Sequence, residues 1–255
     1  MPPHLRRLKQ QQEGQQGQGR GQGAGPGPEE DDTQSEEYQW LRKLVNGLAN
    51  RLSETNLAPC IRDARALYGP HSSQRVNALL TDTMLRLCVS PAQLMKGLIP
   101  AYAALVAGCH LSGGGGVGAF ALERVCREYD ARRGALAAAA PGSDAEEGVA
   151  KEVGNLVLII AHLYAFGVVA CGLVYGLVRE LVQGMGERDV ELLLSLLRAA
   201  GAQMRADDPA ALKDIVLAVQ VRVCVCGGGG LVGLVSYGYM GVCMFVCIAA
   251  HVHAH

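Results

Sequence analysis

Apolar residues recur at three- and four-residue intervals from Glu36 onward, and this spacing predicts amphipathic helices. The first helix carries a leucine stripe, with Arg42, Lys43 and Arg51 among the positions between its members. That stripe comprises Leu41, Leu44, Leu48 and Leu52. A second short helix is predicted from Asn56 to Tyr68. A third, capped by Ser72 or Ser73, buries a stripe of Val76, Leu79, Leu80, Met84 and Leu87.

Proline positions predict where later helices begin. Ser90-Pro91 resembles an N-cap followed by the first helical residue, and the helix it opens extends through Tyr102 and is expected to kink at Pro100. Asp207-Asp208-Pro209 predicts the same kind of start for a later helix. Between them, residues 151–166 are apolar on most faces, which indicates a central helix.

Two segments predict breaks between helices. Gly113 to Gly116 separate one helix from the next, and residues 132–148, which include an Ala-Ala-Ala-Ala-Pro-Gly-Ser run, are expected to form a flexible loop. The remaining helices are joined by short turns. The pattern therefore predicts an all-α, HEAT-like solenoid of helical hairpins over residues 36–221.

The two ends differ from this body. Residues 1–35 combine Gln/Gly repeats with the acidic run Glu29–Asp32, a composition typical of a disordered tail. Residues 222–255 are apolar and rich in Gly and Cys, and Val223 to Ala250 contain no charged residue. Leu231–Ala250 is long enough to span a bilayer, since about 20 apolar residues suffice, although its glycines would make a poor lipid-facing helix. A C-terminal membrane anchor is one interpretation.

Charge and cysteine content narrow the function classes. The 23 basic and 24 acidic residues give a net charge of −1, so any nucleic-acid surface must be a local patch. The 9 cysteines are irregularly spaced, and most fall in apolar helical patterns, which predicts buried thiols in a reducing compartment. These are Cys60, Cys88, Cys109, Cys126 and Cys171. The N-terminus lacks the apolar stretch of a secretory signal.

Several stretches carry a family resemblance, in order from about Tyr38 to Val219. They are LRKLVNGLANRLSETNLAPCIRDARALY, CVSPAQLM, KEVGNLVLIIAHLYAFGVV and LVRELVQGMGERDVELLLSLLRAAGAQMRADDPAALKDIV. Together they resemble the nucleolar proteins that contain a middle domain of initiation factor 4G, the yeast Sgd1-type family. Its signature positions, expected to be structural, are Asn155, His162, Leu163, Tyr164 and Phe166. Ala165 stands where the family usually has Asn, and the family's second, MA3-type helical domain is not recognised downstream.

The resemblance implies a non-catalytic scaffold in the nucleus and nucleolus. Such a scaffold would bind a DEAD-box RNA helicase of initiation factor 4A type, and RNA or pre-ribosomal particles, during processing of small-subunit ribosomal RNA. A pre-mRNA splicing scaffold of the related Cwc22 type is an alternative, and a C-terminally membrane-anchored helical protein is another. Residues 222–255 do not match the family's architecture, so translated non-coding sequence is a further interpretation of them.

Basic residues at exposed helical positions are the candidate partner contacts, although a solvated face is the commoner explanation of such charges. They are Arg42, Lys43, Arg51, Arg179 and Arg198.

No residue is expected to be catalytic or to bind a cofactor or metal. Gly113–Gly118 lacks the Gly-Lys-Ser/Thr ending of a phosphate loop. His162 is expected to be a hydrogen-bonded core histidine that, with Tyr164, ties neighbouring helices together. Cys224-x-Cys226 and the alternating His251, His253 and His255 lack the spacing or supporting groups of a metal site.

Overall fold

The computed structural model describes residues 35–113 and 116–226, the side chains of 220–226 excepted. The tails predicted at residues 1–35 and 222–255 therefore lie almost wholly outside the described residues, as do the candidate membrane span and the terminal histidines. All packing described below is within residues 40–226.

Nine α-helices and no strand occupy the described ranges, which confirms the all-α fold. Turns and short loops join them, with one 3-10 turn at Glu54–Asn56. In chain order they are α1 (Glu36–Arg51), α2 (Leu57–Ala66), α3 (Ser73–Cys88), α4 (Ile99–Leu111), α5 (Val117–Ala138), α6 (Asp144–Ala165), α7 (Cys171–Gly184), α8 (Glu187–Asp207) and α9 (Pro209–Cys226).

The helices form two layers because, from α2 onward, most pack against both the next helix and the next but one. Helices α2, α4, α6 and α8 follow one another in one layer, while α3 packs on α5 and α7 packs on α9 in the other. Helix α6 lies at the centre, against α4, α5, α7 and α8. This arrangement is that of a helical-repeat solenoid, in which each hairpin covers the apolar face of its neighbour.

The apolar stripes are largely where the periodicity predicts them. Leu41, Leu48 and Leu52 are buried, but Leu44 is 38% exposed, and Val45 takes the inward position. Helix α3 buries Cys88 in place of the predicted Leu87. The buried residues of α1 and the turn after it recur at i, i+4, i+7 and i+11 from Leu41, and Leu44, at i+3, lies at the edge of that face of a helix with 3.6 residues per turn.

The predicted helix start at Ser90-Pro91 is wrong. Residues 89–98 form a loop, and α4 begins at Ile99. Pro100 therefore lies in the first turn, where its missing N–H costs no intrahelical hydrogen bond, and it does not kink the helix. By contrast, Asp208 caps α9 as predicted, because its Oδ1 accepts a hydrogen bond from the Ala211 N–H at 2.9 Å.

The predicted flexible loop at 132–148 is also wrong. Helix α5 continues to Ala138 and α6 begins at Asp144, after Ser143 accepts a hydrogen bond from the Glu146 N–H at 3.1 Å. Alanine is the strongest helix former, so the alanine-rich stretch extends α5. Two ion pairs stabilise the C-terminal part of α5, because the Arg133 guanidinium lies 3.0 Å from Asp189 and 3.5 Å from Glu180.

The described cysteines are free thiols. Cys60, Cys88 and Cys109 are buried as predicted, whereas Cys126 is half-buried. Cys171 is exposed, which corrects the prediction for that residue. It is the first residue of α7.

Candidate interaction surfaces

Asn155 is the buried polar residue at the centre of the stack, on α6 and fully shielded from solvent. Its Oδ1 accepts a hydrogen bond from the Met95 N–H at 2.7 Å. Its Nδ2 donates to the carbonyl oxygens of Gln93 at 3.0 Å and Ser90 at 3.2 Å. A carboxamide supplies both donors and an acceptor, so one side chain satisfies three backbone groups of a loop that has no regular structure of its own.

The Asn155 contacts fix the shape of the loop at residues 89–98. Within it, the Ser90 hydroxyl oxygen accepts a hydrogen bond from the Ala92 N–H at 3.2 Å, which closes a local turn. Leu94 lies against the backbone of α6: a Cβ at Gly154 would be 2.7 Å from its Cδ2. Gly154, which weakens helix propensity, thus permits the loop to approach closely. The loop remains exposed to solvent along residues 91–94.

The other signature positions divide between core and surface. Leu163 is fully buried, and the Tyr164 hydroxyl donates to Asp207 Oδ2 at 2.6 Å, which ties α6 to α8 as predicted. His162 is half-buried and stacks on Phe166 with ring centroids 6.2 Å apart, and burial lowers the pKa of its imidazole. Phe166 is 38% exposed at the end of α6. His162 is therefore a helix-end residue beside an exposed ring, not a core histidine between helices.

The five basic candidates are all exposed but do not form one patch. Arg42, Lys43 and Arg51 are on α1, whereas Arg179 is on α7 and Arg198 on α8. The Arg51 guanidinium pairs with Asp63 of α2. Arg179 lines an apolar groove between α7 and α9.

An arginine groove that the sequence did not reveal lies between α3 and α5. It has a volume of about 320 Å³ and is lined by Asp82, Leu85, Arg86, Val89, Arg124, Glu128 and Arg132. The signal for it was the Arg124, Glu128, Arg132 series at i, i+4 spacing on α5. The predicted flexible loop at residues 132–148 placed Arg132 outside the helix and hid that series.

The arginines of this groove keep donors available to a partner. Arg86 donates to Asn46 Oδ1 at 2.8 Å, Arg124 lies 3.5 Å from Asp82, and Arg132 pairs with Glu128 at 3.1 Å and Glu152 at 2.8 Å. A guanidinium has five N–H donors, so these contacts use only part of the set. The alternating charges suit a partner surface that presents carboxylates or phosphates beside basic groups.

The described residues contain no cluster of three or more His, Cys, Asp or Glu side chains that could hold a metal ion. Helix α6 is the one described helix long and apolar enough to cross a membrane, but most of it is buried within the stack, as expected of a core helix. Gly113 and Gly116 adopt positive φ angles of 82° and 78° at the turn between α4 and α5, which glycine accommodates without strain.

Comparison with known proteins agrees with the fold and the signature. The MIF4G domain model matches residues 42–223. The chain is 34% identical over 197 residues to nucleolar MIF4G domain-containing protein 1 of Homo sapiens, covering 77% of this chain and 22% of that protein. It is 32% identical over 189 residues to suppressor of glycerol defect protein 1 of Schizosaccharomyces pombe, covering 72% of this chain and 23% of the relative.

The Drosophila melanogaster homologue of the nucleolar protein is 28% identical over 192 residues, with 75% of this chain and 22% of that protein covered. The chain thus spans about a fifth of the length of these relatives. Since the domain model covers most of the helical stack, and the matched relatives include the Sgd1-type proteins, the resemblance found in the sequence is confirmed. The chain belongs to the MIF4G domain family.

Proposed function

We propose that this chain is a non-catalytic nucleolar scaffold that binds a DEAD-box RNA helicase of initiation factor 4A type. The observation that carries the proposal is the match of the MIF4G domain to residues 42–223, the same residues that build the two-layer stack. Relatives named as nucleolar proteins support the location. The role in small-subunit ribosomal RNA processing, with RNA or pre-ribosomal particles as further partners, follows from the same resemblance.

The geometry supports a scaffold because it offers a stiff surface with exposed basic groups. Side-chain hydrogen bonds and ion pairs connect elements that are distant in sequence, such as Asn155 with Met95 and Arg133 with Asp189. Such links hold the packed helices in one arrangement, which limits the entropy lost when a large partner binds. We assign the arginine groove as the first candidate contact surface and the five separate basic residues as the second.

A binding and activity assay tests the proposal. The full chain is immobilised and incubated with a 4A-type helicase and, as a control, with a DEAD-box helicase of another type. Selective retention of the 4A-type helicase, with a change in its RNA-dependent ATPase rate, is the expected result. A chain that is helical by circular dichroism and retains neither helicase contradicts the proposal. Copurification with splicing factors, rather than pre-ribosomal proteins, would instead favour the splicing alternative.

A further inference from the structure

The loop at residues 89–98 carries a serine in the sequence context that proline-directed protein kinases recognise. Of the 10 prolines in the sequence, Pro91 is the one that follows a serine or threonine. The residue before a proline is restricted to extended conformations, and Val89, which precedes the pair, is extended with φ −91° and ψ 95°. Ser90 is partly exposed and residues 91–94 are exposed. A kinase therefore meets the Ser-Pro pair in an extended segment at the surface.

The arginine groove ends beside this serine. Arg124 of α5 lies 3.5 Å from Asp82 of α3, and the groove continues toward the C-terminal ends of both helices, where Val89 and Arg132 line it. The two helices therefore run in the same direction. With the same rise per residue in both, the eight residues from 82 to 90 match the eight from 124 to 132, which sets Arg132 level with Ser90.

Contacts from α6 place the same arginine beside the loop. Arg132 pairs with Glu152 of α6 at 2.8 Å. Three residues later on that helix, Asn155 donates to the Ser90 carbonyl oxygen at 3.2 Å. Four residues before Glu152, a Cβ at Gly148 would be 3.3 Å from the Cβ of the proline that follows the serine. These three positions of α6 follow the i, i+4, i+7 pattern of one helix face, and that face meets both the loop and Arg132.

We propose that Ser90 is a phosphorylation site whose phosphate binds Arg132 in the arginine groove. The kinase transfers the γ-phosphoryl group of ATP to the Ser90 Oγ, the bond from that phosphorus to the β-phosphate oxygen breaks, ADP leaves, and the hydroxyl proton passes to the base of the kinase. The phosphate brings a charge of about −1.5 to −2 and three acceptor oxygens, which a guanidinium binds through two parallel hydrogen bonds.

The charges around Ser90 determine what holds the phosphate. Glu128 and Glu152 lie 3.1 Å and 2.8 Å from the Arg132 guanidinium, and the phosphate competes with both carboxylates for its donors. Ser90 also follows the C-terminal end of α3, where the carbonyl groups of the last turn disfavour an anion. The arginine is therefore the group that offsets these unfavourable terms.

Phosphorylation would regulate the arginine groove as a contact surface. A phosphate bound to Arg132 uses the donors that the groove otherwise offers to a partner, and its negative charge repels carboxylates and phosphates of that partner. The modified chain should therefore bind the helicase more weakly. This consequence rests on the proposed function, whereas the phosphorylation site itself does not.

Treatment of the full chain with ATP and a proline-directed kinase of the mitogen-activated class tests the site, with peptide mapping by mass spectrometry as the readout. We expect phosphate at Ser90 and none in the Ser90→Ala variant. Ser73→Ala is the matched control, since Ser73 is exposed but is followed by glutamine, and it should be modified as the unsubstituted chain is. A folded chain that stays unmodified at Ser90, under conditions that phosphorylate a synthetic peptide of residues 84–97, overturns the proposal.

Phosphorus NMR of the phosphorylated chain tests the pairing. The second pKa of phosphoserine is ordinarily about 6, and an arginine that binds the dianion should lower it by at least about 0.5. Arg132→Gln should restore the ordinary pKa, whereas Arg127→Gln, outside the groove on the same helix, should not. The same phosphate pKa in the Arg132→Gln variant and the unsubstituted chain overturns the pairing.

Helicase binding by the two forms tests the regulation. The phosphorylated chain should bind the 4A-type helicase with a Kd at least about tenfold higher than the unmodified chain, and equal affinities overturn the regulatory role. If neither form binds while Ser90 is phosphorylated and its phosphate pKa is lowered, the proposed function fails and the phosphorylation site stands.

Discussion

The Asn155 carboxamide oxygen lies 2.7 Å from the Met95 backbone nitrogen, and this hydrogen bond joins the central helix to a loop 60 residues earlier in the chain. The same side chain also holds the carbonyl groups of Ser90 and Gln93. One signature residue therefore holds the backbone that precedes α4 in its loop conformation. The signature residue is structural in its action, and it shapes an exposed loop.

Removal of the Asn155 carboxamide should destabilise the chain strongly. Asn155→Leu leaves one N–H and two carbonyl groups of the loop without their partner on the side that faces α6. Each such group costs roughly 1–3 kcal/mol, and relaxation of the loop recovers part of the cost, so we expect a loss of about 2–4 kcal/mol. Urea unfolding of the full chain measures it. Asn50→Ala, at an exposed position of α1, is the control and should change stability by less than about 0.5 kcal/mol. A loss below about 1 kcal/mol for Asn155→Leu would show that the loop does not depend on it.

The same glycine-to-alanine substitution should have opposite effects at two helical positions. At Gly108 of α4 a Cβ would lie 2.3 Å from Ile61 Cδ1 and 2.8 Å from Cγ1, so α4 and α2 must separate or Ile61 must leave its rotamer. Such overpacking costs about 1–3 kcal/mol. At Gly176 of α7 nothing lies within 4 Å of the new Cβ. There the substitution should stabilise the chain by about 0.5–1 kcal/mol, because alanine restricts the unfolded chain and favours the helix.

Thermal unfolding followed by circular dichroism compares the two variants. Gly108→Ala should lower the Tm and Gly176→Ala should raise it. If both substitutions raise the Tm, the close packing of α2 on α4 is refuted.

Stability should fall in alkaline solution because of the buried thiols. Burial raises the pKa of Cys109 from the ordinary value of 9.0 to about 11, and that of Cys88 to about 12. Above pH 9 the unfolded chain therefore releases protons that the folded chain retains, so the free energy of unfolding decreases as the pH rises. The loss continues until the folded-state pKa values of about 11 and 12 are passed, and each thiol contributes up to about 1.4 kcal/mol per pH unit.

Urea midpoints measured from pH 8 to pH 11 test this dependence. Cys88→Ala should make the decline shallower by about one proton's contribution, although the lost side chain also lowers stability at every pH. An identical slope for the Cys88→Ala variant and the unsubstituted chain would show that the buried thiol does not control the alkaline loss.

Charge reversal in the arginine groove should weaken helicase binding. The double variant Arg86→Glu with Arg124→Glu changes two partly exposed residues, so the fold should persist, while a carboxylate-bearing partner would now be repelled. We expect at least a tenfold rise in Kd for the 4A-type helicase. Arg127→Glu is the matched control on α5, since Arg127 is exposed and lies outside the groove. Loss of binding in Arg42→Glu with Lys43→Glu, and none in the groove variant, would move the contact surface to α1.

The fold was predictable where local signals agree with tertiary packing. Periodic apolar residues located α1 and α3, and the Asp208-Pro209 pair located the start of α9, because caps and stripes act within one or two turns. Ser90-Pro91 carries an equally good local signal for a helix start. The Ser90 carbonyl oxygen, however, accepts a hydrogen bond from Asn155 of the distant helix α6 and stays in the loop. No pattern within the loop could have indicated this contact.

The arginine groove escaped prediction for a similar reason. Single basic residues on exposed faces were visible in the sequence, but the arginine groove needs α3 and α5 side by side, and the true length of α5 was hidden by reading its alanine-rich end as a loop. Arg86 and Arg124 are brought together only by packing. The helix-end position of His162 depends likewise on how α6 terminates, which the apolar run alone did not reveal.

The most direct test of the scaffold is a titration of the full chain into a 4A-type helicase at saturating RNA, with the ATPase rate as the readout. If the chain is such a scaffold, the ATPase rate changes in a saturable way as the chain is added. The double arginine variant should need at least a tenfold higher concentration for the same change, whereas Arg127→Glu should give the same titration curve as the unsubstituted chain. An ATPase rate that stays constant at every concentration of the folded chain, together with no retention in the binding assay, would contradict the claim that this MIF4G domain acts on such a helicase.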